Sequence, residues 1–195
     1  MQSKTMIGPI RAGLMRHRSR HAQRGASLLE AIAYLGIAAI VVIGAVALLN
    51  GAFSSAGTNE LAEQVNAIQA GVKKLYMGQT NGYQDIGVST LAAAGALPST
   101  IPVSGTGTTA TASNSFGGSV KVASTAGNTF TIEFDDVPSA VCINALTATG
   151  SWTQIQVTPT SGGGGATETA FPITPSTATT DCGSSGTDTM IWTST

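Results

Sequence analysis

Apolar residues follow three successive patterns along this chain. Ala31 to Leu49 (AIAYLGIAAIVVIGAVALL) is a run of nineteen uncharged, mostly apolar residues, close to the roughly 20 that span a bilayer as a helix. After a small polar stretch (Asn50, Gly51, Ser54, Ser55, Gly57), Leu61, Val65, Ile68, Val72, Leu75 and Tyr76 recur at offsets of 0, 4, 7, 11, 14 and 15. Those offsets describe one face of a 3.6-residue helix. Glu60, Glu63, Gln64, Asn66, Gln69, Lys73 and Lys74 fill the remaining faces, as solvent-facing positions should. The pattern predicts a helix from Ala26 to about Met77 whose first half is apolar all round and whose second half is amphipathic. The first half requires lipid or other apolar helices; the second requires a domain to pack against. Gly51 and Gly57 mark the expected weak point, each costing roughly 1 kcal/mol relative to Ala.

Beyond Gly78 the period changes from helical to alternating. A short helix is expected over Thr90–Ala94, stopped by Gly95 with Pro98 beyond it. Residues 99–114 (STIPVSGTGTTATASN) have little to bury and read as a surface loop. Val120 and Val122 flank Lys121, and Phe130, Ile132 and Phe134 alternate with Thr129, Thr131 and Glu133. Trp152, Ile155 and Val157 indicate a further strand, and Met190, Ile191 and Trp192 a last one. Alternation with one apolar face predicts an antiparallel sheet covered on one side. Val137–Leu146 reads as a short helix carrying Cys142, and Ser161-Gly-Gly-Gly-Gly-Ala166 as a flexible loop. The fold class is therefore α+β, a long N-terminal helix packed on an antiparallel sheet.

Charge divides the chain in the same place as hydropathy. Residues 1–25 hold Lys4, Arg11, Arg16, Arg18, Arg20 and Arg24, both histidines and no acid; residues 26–195 hold three Lys/Arg against ten Asp/Glu, a balance of −7. A basic head before an apolar run is the positive-inside flank of a membrane segment, and it carries no implication of nucleic-acid binding. The head itself is either a cytoplasmic tail or a removable leader. An ordinary secretory signal is an alternative, with Ala45-Val-Ala47 as its cleavage site, although the apolar run continues through Leu48 and Leu49. A plain membrane anchor is another.

The inventory for catalysis is poor. No histidine follows His21, which removes His-based triads and His-ligated metals from the downstream region. Cys142 and Cys182, forty positions apart, do not form a Cys-x-x-Cys pair. An even count in an exported Ser/Thr-rich domain favours one disulfide over a metal site. Glu133, Asp135 and Asp136 form an acidic cluster where a cation is conceivable, but a solvated acidic turn is the simpler reading. Trp152 and Trp192 read as core residues of the sheet rather than a sugar-stacking platform. The glycine run lacks the Gly-Lys-Ser/Thr ending of a phosphate loop. No catalytic residue, metal or cofactor is expected.

Glu30 carries the sharpest inference. A carboxylate deep in a membrane helix costs about 2.5–3.5 kcal/mol, so its place at the mouth of the run needs a reason. One reason is bland: it snorkels to the interface from a helix end. The other lies in the adjacent Gly25-Ala26 bond. A cut there would remove every leader charge and create an amine on Ala26, four residues before Glu30. Amine and carboxylate, within one chain or between neighbours, could then pair in an apolar assembly, where an unpartnered charge is strongly penalised.

Gly25-Ala26-Ser27-Leu28-Leu29-Glu30, followed by such a helix, resembles the prepilin peptidase motif of the type IV pilins. The resemblance implies cleavage after Gly25 and N-methylation of Ala26, with Glu30 recruiting or neutralising the amine of an adjacent subunit during assembly. A 25-residue leader and a first mature residue other than Phe resemble the type IVb branch. Leu75-Tyr76-Met77-Gly78-Gln79-Thr80, Phe116-Gly117-Gly118 and Ile173-Thr174-Pro175 are similar to stretches of bundle-forming and thin conjugative-pilus pilins. In that family two C-terminal cysteines close a loop against the sheet, which here implies a Cys142–Cys182 bond. Ala47 stands where IVa pilins usually have a helix-kinking proline, so local melting would have to use Gly44, Gly51 or Gly57.

The organisation expected on this basis is a cleaved basic leader (1–25), a transmembrane and filament-core half-helix (26–53) and an exported pilin domain (54–195). The implied function is that of a major pilin, processed and polymerised for adhesion, aggregation, conjugation or motility. The implied partners are other copies of the chain, the prepilin peptidase, the inner-membrane assembly platform, the outer-membrane secretin, and the inner membrane before assembly. Localisation would pass from inner membrane to extracellular pilus. A minor pilin or secretion-system pseudopilin is the rival within the family, and a non-polymerising membrane-anchored periplasmic binding domain the rival outside it.

Overall fold

A computed structural model describes residues 27–125, 127–148, 150–162 and 164–195. The proposed leader, with Gly25 and Ala26, lies outside the described residues. The chain divides into an N-terminal unit ending at Gly44 and a second unit from Ala45 to Thr195.

Helix α1, Leu28–Leu75, is 48 residues long and continuous through Gly36, Gly44, Gly51 and Gly57. Every side chain from Ser27 through Phe53 is exposed, Leu28 by 82% and Phe53 by 69%. Ser54 is the first half-buried residue. From there the 3.6-residue face turns inward: Leu61, Val65, Ile68 and Val72 are buried, and Leu75 and Tyr76 partly so. The two expected weak points differ from each other. Gly51 has open space around it, whereas a Cβ on Gly57 would stand 3.1 Å from Phe116 Cε1 and 3.2 Å from Val141 Cγ2. Gly57 is thus a close-packing position.

Among the described residues the sheet has seven antiparallel strands in the order β1-β2-β3-β4-β7-β5-β6. They are β1 Val103–Ser104, β2 Thr111–Ser113, β3 Ser119–Ser124, β4 Phe130–Pro138, β5 Gln154–Pro159, β6 Ala166–Glu168 and β7 Thr187–Ser194. Register aligns the apolar positions in rows across the inner face. Val122, Ile132, Trp192 and Ile155 form one row; Val120, Phe134, Met190 and Val157 form the next. These side chains and the buried face of α1 belong to one hydrophobic cluster. Phe134 and Trp192 meet edge-to-face, with centroids 5.8 Å apart. The last strand of the chain therefore lies in the middle of the sheet, between β4 and β5.

Helices α2 (Val88–Ala93), α3 (Ser139–Thr147) and α4 (Pro175–Cys182) complete the fold. Gly95 ends α2 at φ 62°, a left-handed conformation that glycine adopts without strain. The stretch expected as a surface loop, 99–114, instead contains β1, a 3₁₀ turn at Gly107–Thr109 and β2. Ala112, buried and paired with both Val103 and Val120, is the only apolar anchor of β2. The helix expected from Val137 begins at Ser139, because Val137 remains in β4 opposite Asp188. Trp192 is a core residue as expected, whereas Trp152 precedes β5 and is half-buried. Gln64, read as solvent-facing, is fully buried and donates from Nε2 to Thr100 O at 3.2 Å.

Candidate functional site

Three places hold the residues singled out for function. The first is the start of α1. Ser27 Oγ accepts the backbone N–H of Glu30 at 3.2 Å, and Ala31 N donates to Ser27 O at 3.1 Å. This is N-capping by a serine three residues ahead of a glutamate. It satisfies one of the free N–H groups of the first turn and places Glu30 where the positive end of the helix dipole favours an acid. The Glu30 carboxylate is exposed, and its Oε1 accepts from the Tyr34 hydroxyl one turn on, at 3.3 Å. The apolar half of the helix that follows is long and apolar enough to cross a membrane, and none of that half is buried. Neither the capping role of Ser27 nor the bond from Tyr34 was read from the sequence, yet both signals were present: a Ser-x-x-Glu spacing, and a hydroxyl at i+4.

The second place is the C-terminal cross-link. Cys142 on α3 and Cys182 on α4 are both buried and bonded, with Cα atoms 6.0 Å apart. Thr174 caps α4 by accepting the Thr177 N–H at 3.3 Å, and Pro175 occupies the first turn, where a missing N–H costs nothing. Asp188 lies against the disulfide, with a carboxylate oxygen within 4.8 Å of both sulfurs. It occupies a core-facing position of β7, two residues before Met190, and is fully buried. Its two oxygens have no hydrogen-bond partner among the described residues. The Ser139 hydroxyl donates to Gly186 O at 3.1 Å. Burial raises the Asp188 carboxyl to about 6 despite the opposing effect of that hydroxyl. Asp181, on α4, is also raised by burial. Because the two sulfurs are bonded to each other, the Cys142, Cys182 and Asp188 group is not a thiolate metal centre.

The third place is the acidic cluster. Lys121 Nζ bridges Glu133 Oε1 at 2.5 Å and Asp135 Oδ2 at 3.1 Å. Asp135 also accepts from Ser119 Oγ and, at 2.9 Å, from Thr189 Oγ1. Partial burial opposes ionisation of Asp135, but the bonds from Ser119, Lys121 and Thr189 prevail and hold its carboxyl below the ordinary range. Hydrogen bonds to Glu133 and Asp135 raise Lys121. Asp136, at φ 57° in the irregularity between Phe134 and Val137, meets Thr187 Oγ1 at 3.5 Å. The cluster is thus a cross-strand ion-pair network on the sheet rather than an open oxygen cage.

Residues 55–195 match a family model described as PilS N terminal. Among solved structures, the chain is similar to a type IV b pilin from Salmonella typhi. The identity is 26%, the TM-score is 0.54, and the match covers 69% of this chain and 96% of the other. No curated protein sequence matches the chain.

Proposed function

The chain belongs to the PilS family, the type IVb pilins, and we propose that it is made as a membrane-inserted precursor, cut after Gly25, and polymerised through α1 as the major subunit of an extracellular pilus. The observation that carries this reading is the burial pattern of α1. An apolar half-helix, exposed from Leu28 to Phe53, continues without a break into a half whose apolar face is buried. So much contiguous apolar surface requires a cover. A bilayer provides one before assembly, and the same surfaces of other copies provide one afterwards.

Cleavage after Gly25 would remove the six leader cations and leave an amine on Ala26, which N-methylation would modify. Glu30 would then receive the amine of a neighbouring subunit. In an apolar filament core such a pair fixes register, because every wrong register leaves a buried charge without a partner. The sheet, the disulfide-linked α3 and α4, and the Thr-rich strands would form the part displayed outside. Residues 101–195 hold 22 Thr and 12 Ser but one Lys, a composition suited to a polar, weakly charged filament surface. In this reading the partners are the prepilin peptidase, an inner-membrane assembly platform, an outer-membrane secretin and other copies of the chain.

Glu30→Ala tests the assembly role. The variant should insert and lose its leader normally but give few filaments. Filament yield equal to the unmodified chain would overturn the role.

A further inference from the structure

We infer that Tyr34 is a positioning residue for assembly: its phenol holds and orients the Glu30 carboxylate within the apolar helix until a neighbouring amine arrives. This rests on the assembly role proposed for Glu30 and extends it. Two independent observations meet at Tyr34. From Ala31 to Leu49 it is the only residue whose side chain bears a polar atom. Its position, one helical turn after Glu30, brings its hydroxyl onto the same face, where it donates to Glu30 Oε1 at 3.3 Å.

The chemistry gives that coincidence a use. A carboxylate in hydrocarbon has no water to solvate it, and a hydrogen bond to an ionised acceptor is stronger than one between neutral groups. The Ser27 cap holds the Glu30 backbone from one side, at 3.2 Å, and the phenol holds the side chain from the other. With Oε1 taken, Oε2 remains for the incoming cation. Tyr34 therefore keeps the acceptor aimed through the interval between membrane insertion and docking. A tyrosine in a membrane helix also has an ordinary role, its ring lying at the interface; phenylalanine retains the ring and loses only the donor.

The test is Tyr34→Phe in the full-length precursor, read in three ways: leader removal, yield of sheared filaments, and the isotope-edited infrared band of the Glu30 carboxylate in the membrane-inserted chain. Leader removal should be unchanged, filament yield should fall on the order of tenfold, and the carboxylate band should shift. Wild-type yield, or a loss of yield with an unshifted band, would overturn the inference, the latter by assigning Tyr34 to packing. Glu30→Ala run alongside separates the two levels. If Glu30→Ala assembles normally, the underlying reading fails; if it fails to assemble while Tyr34→Phe does not, only the role of Tyr34 is lost.

Discussion

Gly71 on α1 lies directly against the carbonyl oxygen of Ala96, so close that a Cβ at position 71 would overlap it. Alanine is the better helix former by about 1 kcal/mol, so propensity alone favours Gly71→Ala. The contact decides otherwise: a backbone oxygen cannot move aside as a flexible side chain would, and overpacking of this kind costs about 1–3 kcal/mol. Gly71→Ala should therefore unfold at a lower denaturant concentration than the unmodified chain in detergent. Gly51→Ala, with nothing within 4 Å, should be neutral or slightly stabilising.

Asp188 sets a pH dependence whose sign follows from its environment. Its carboxyl is raised from 3.8 to about 6, so the folded chain binds the proton more tightly than the unfolded one. The stabilisation from protonation is complete below about pH 4, is lost as pH rises through about 6, and then levels off, with a total of at most about 3 kcal/mol. Asp181 acts in the same direction. Asp135, held low, acts oppositely, and only as pH falls below its ordinary 3.8. Thermal unfolding should accordingly occur at a higher temperature at pH 5 than at pH 7.5. Asp188→Asn should raise the midpoint at pH 7.5 and flatten that rise.

The disulfide should matter more than its single bond suggests. Joining Cys142 to Cys182 closes a loop of 40 residues, which loop-entropy reasoning values at about 4 kcal/mol. The loop contains β5 and β6 and ends seven positions before β7's Thr189. Cys142→Ser with Cys182→Ser should lower the denaturant midpoint by a corresponding amount. Protease susceptibility should rise first at α4, whose buried residues are only Ala178, Asp181 and Cys182.

The parts of this structure that burial organises were legible in the sequence, and the parts that the main chain organises were not. Leu61, Val65, Ile68 and Val72 announce the buried face of α1 through their period, and Phe130, Ile132 and Phe134 announce β4 through theirs. By contrast β2 is Thr-Ala-Ser, held by backbone pairing on both sides with one small apolar side chain inside. Helix α4, Pro175–Cys182, is built largely of Thr and Ser, and its start was marked only by a capping Thr174 and Pro175. Gln64 is polar and lies beside the apolar stripe, and its fully buried side chain bonds the carbonyl of Thr100, a residue distant in sequence. At the start of α1, Glu30 stood out because a charge before an apolar run is costly. Tyr34 did not, because its significance lies in a hydroxyl one turn from that charge, and an isolated tyrosine in a membrane helix has an ordinary explanation.

Whether this chain polymerises after cleavage at Gly25 is decided by intact mass and N-terminal sequencing of the chain recovered from sheared surface filaments. Those filaments should consist of this chain, beginning at N-methylated Ala26 with its disulfide closed. A chain retaining its leader, one beginning near Leu48, or the absence of this chain from any filament would contradict it.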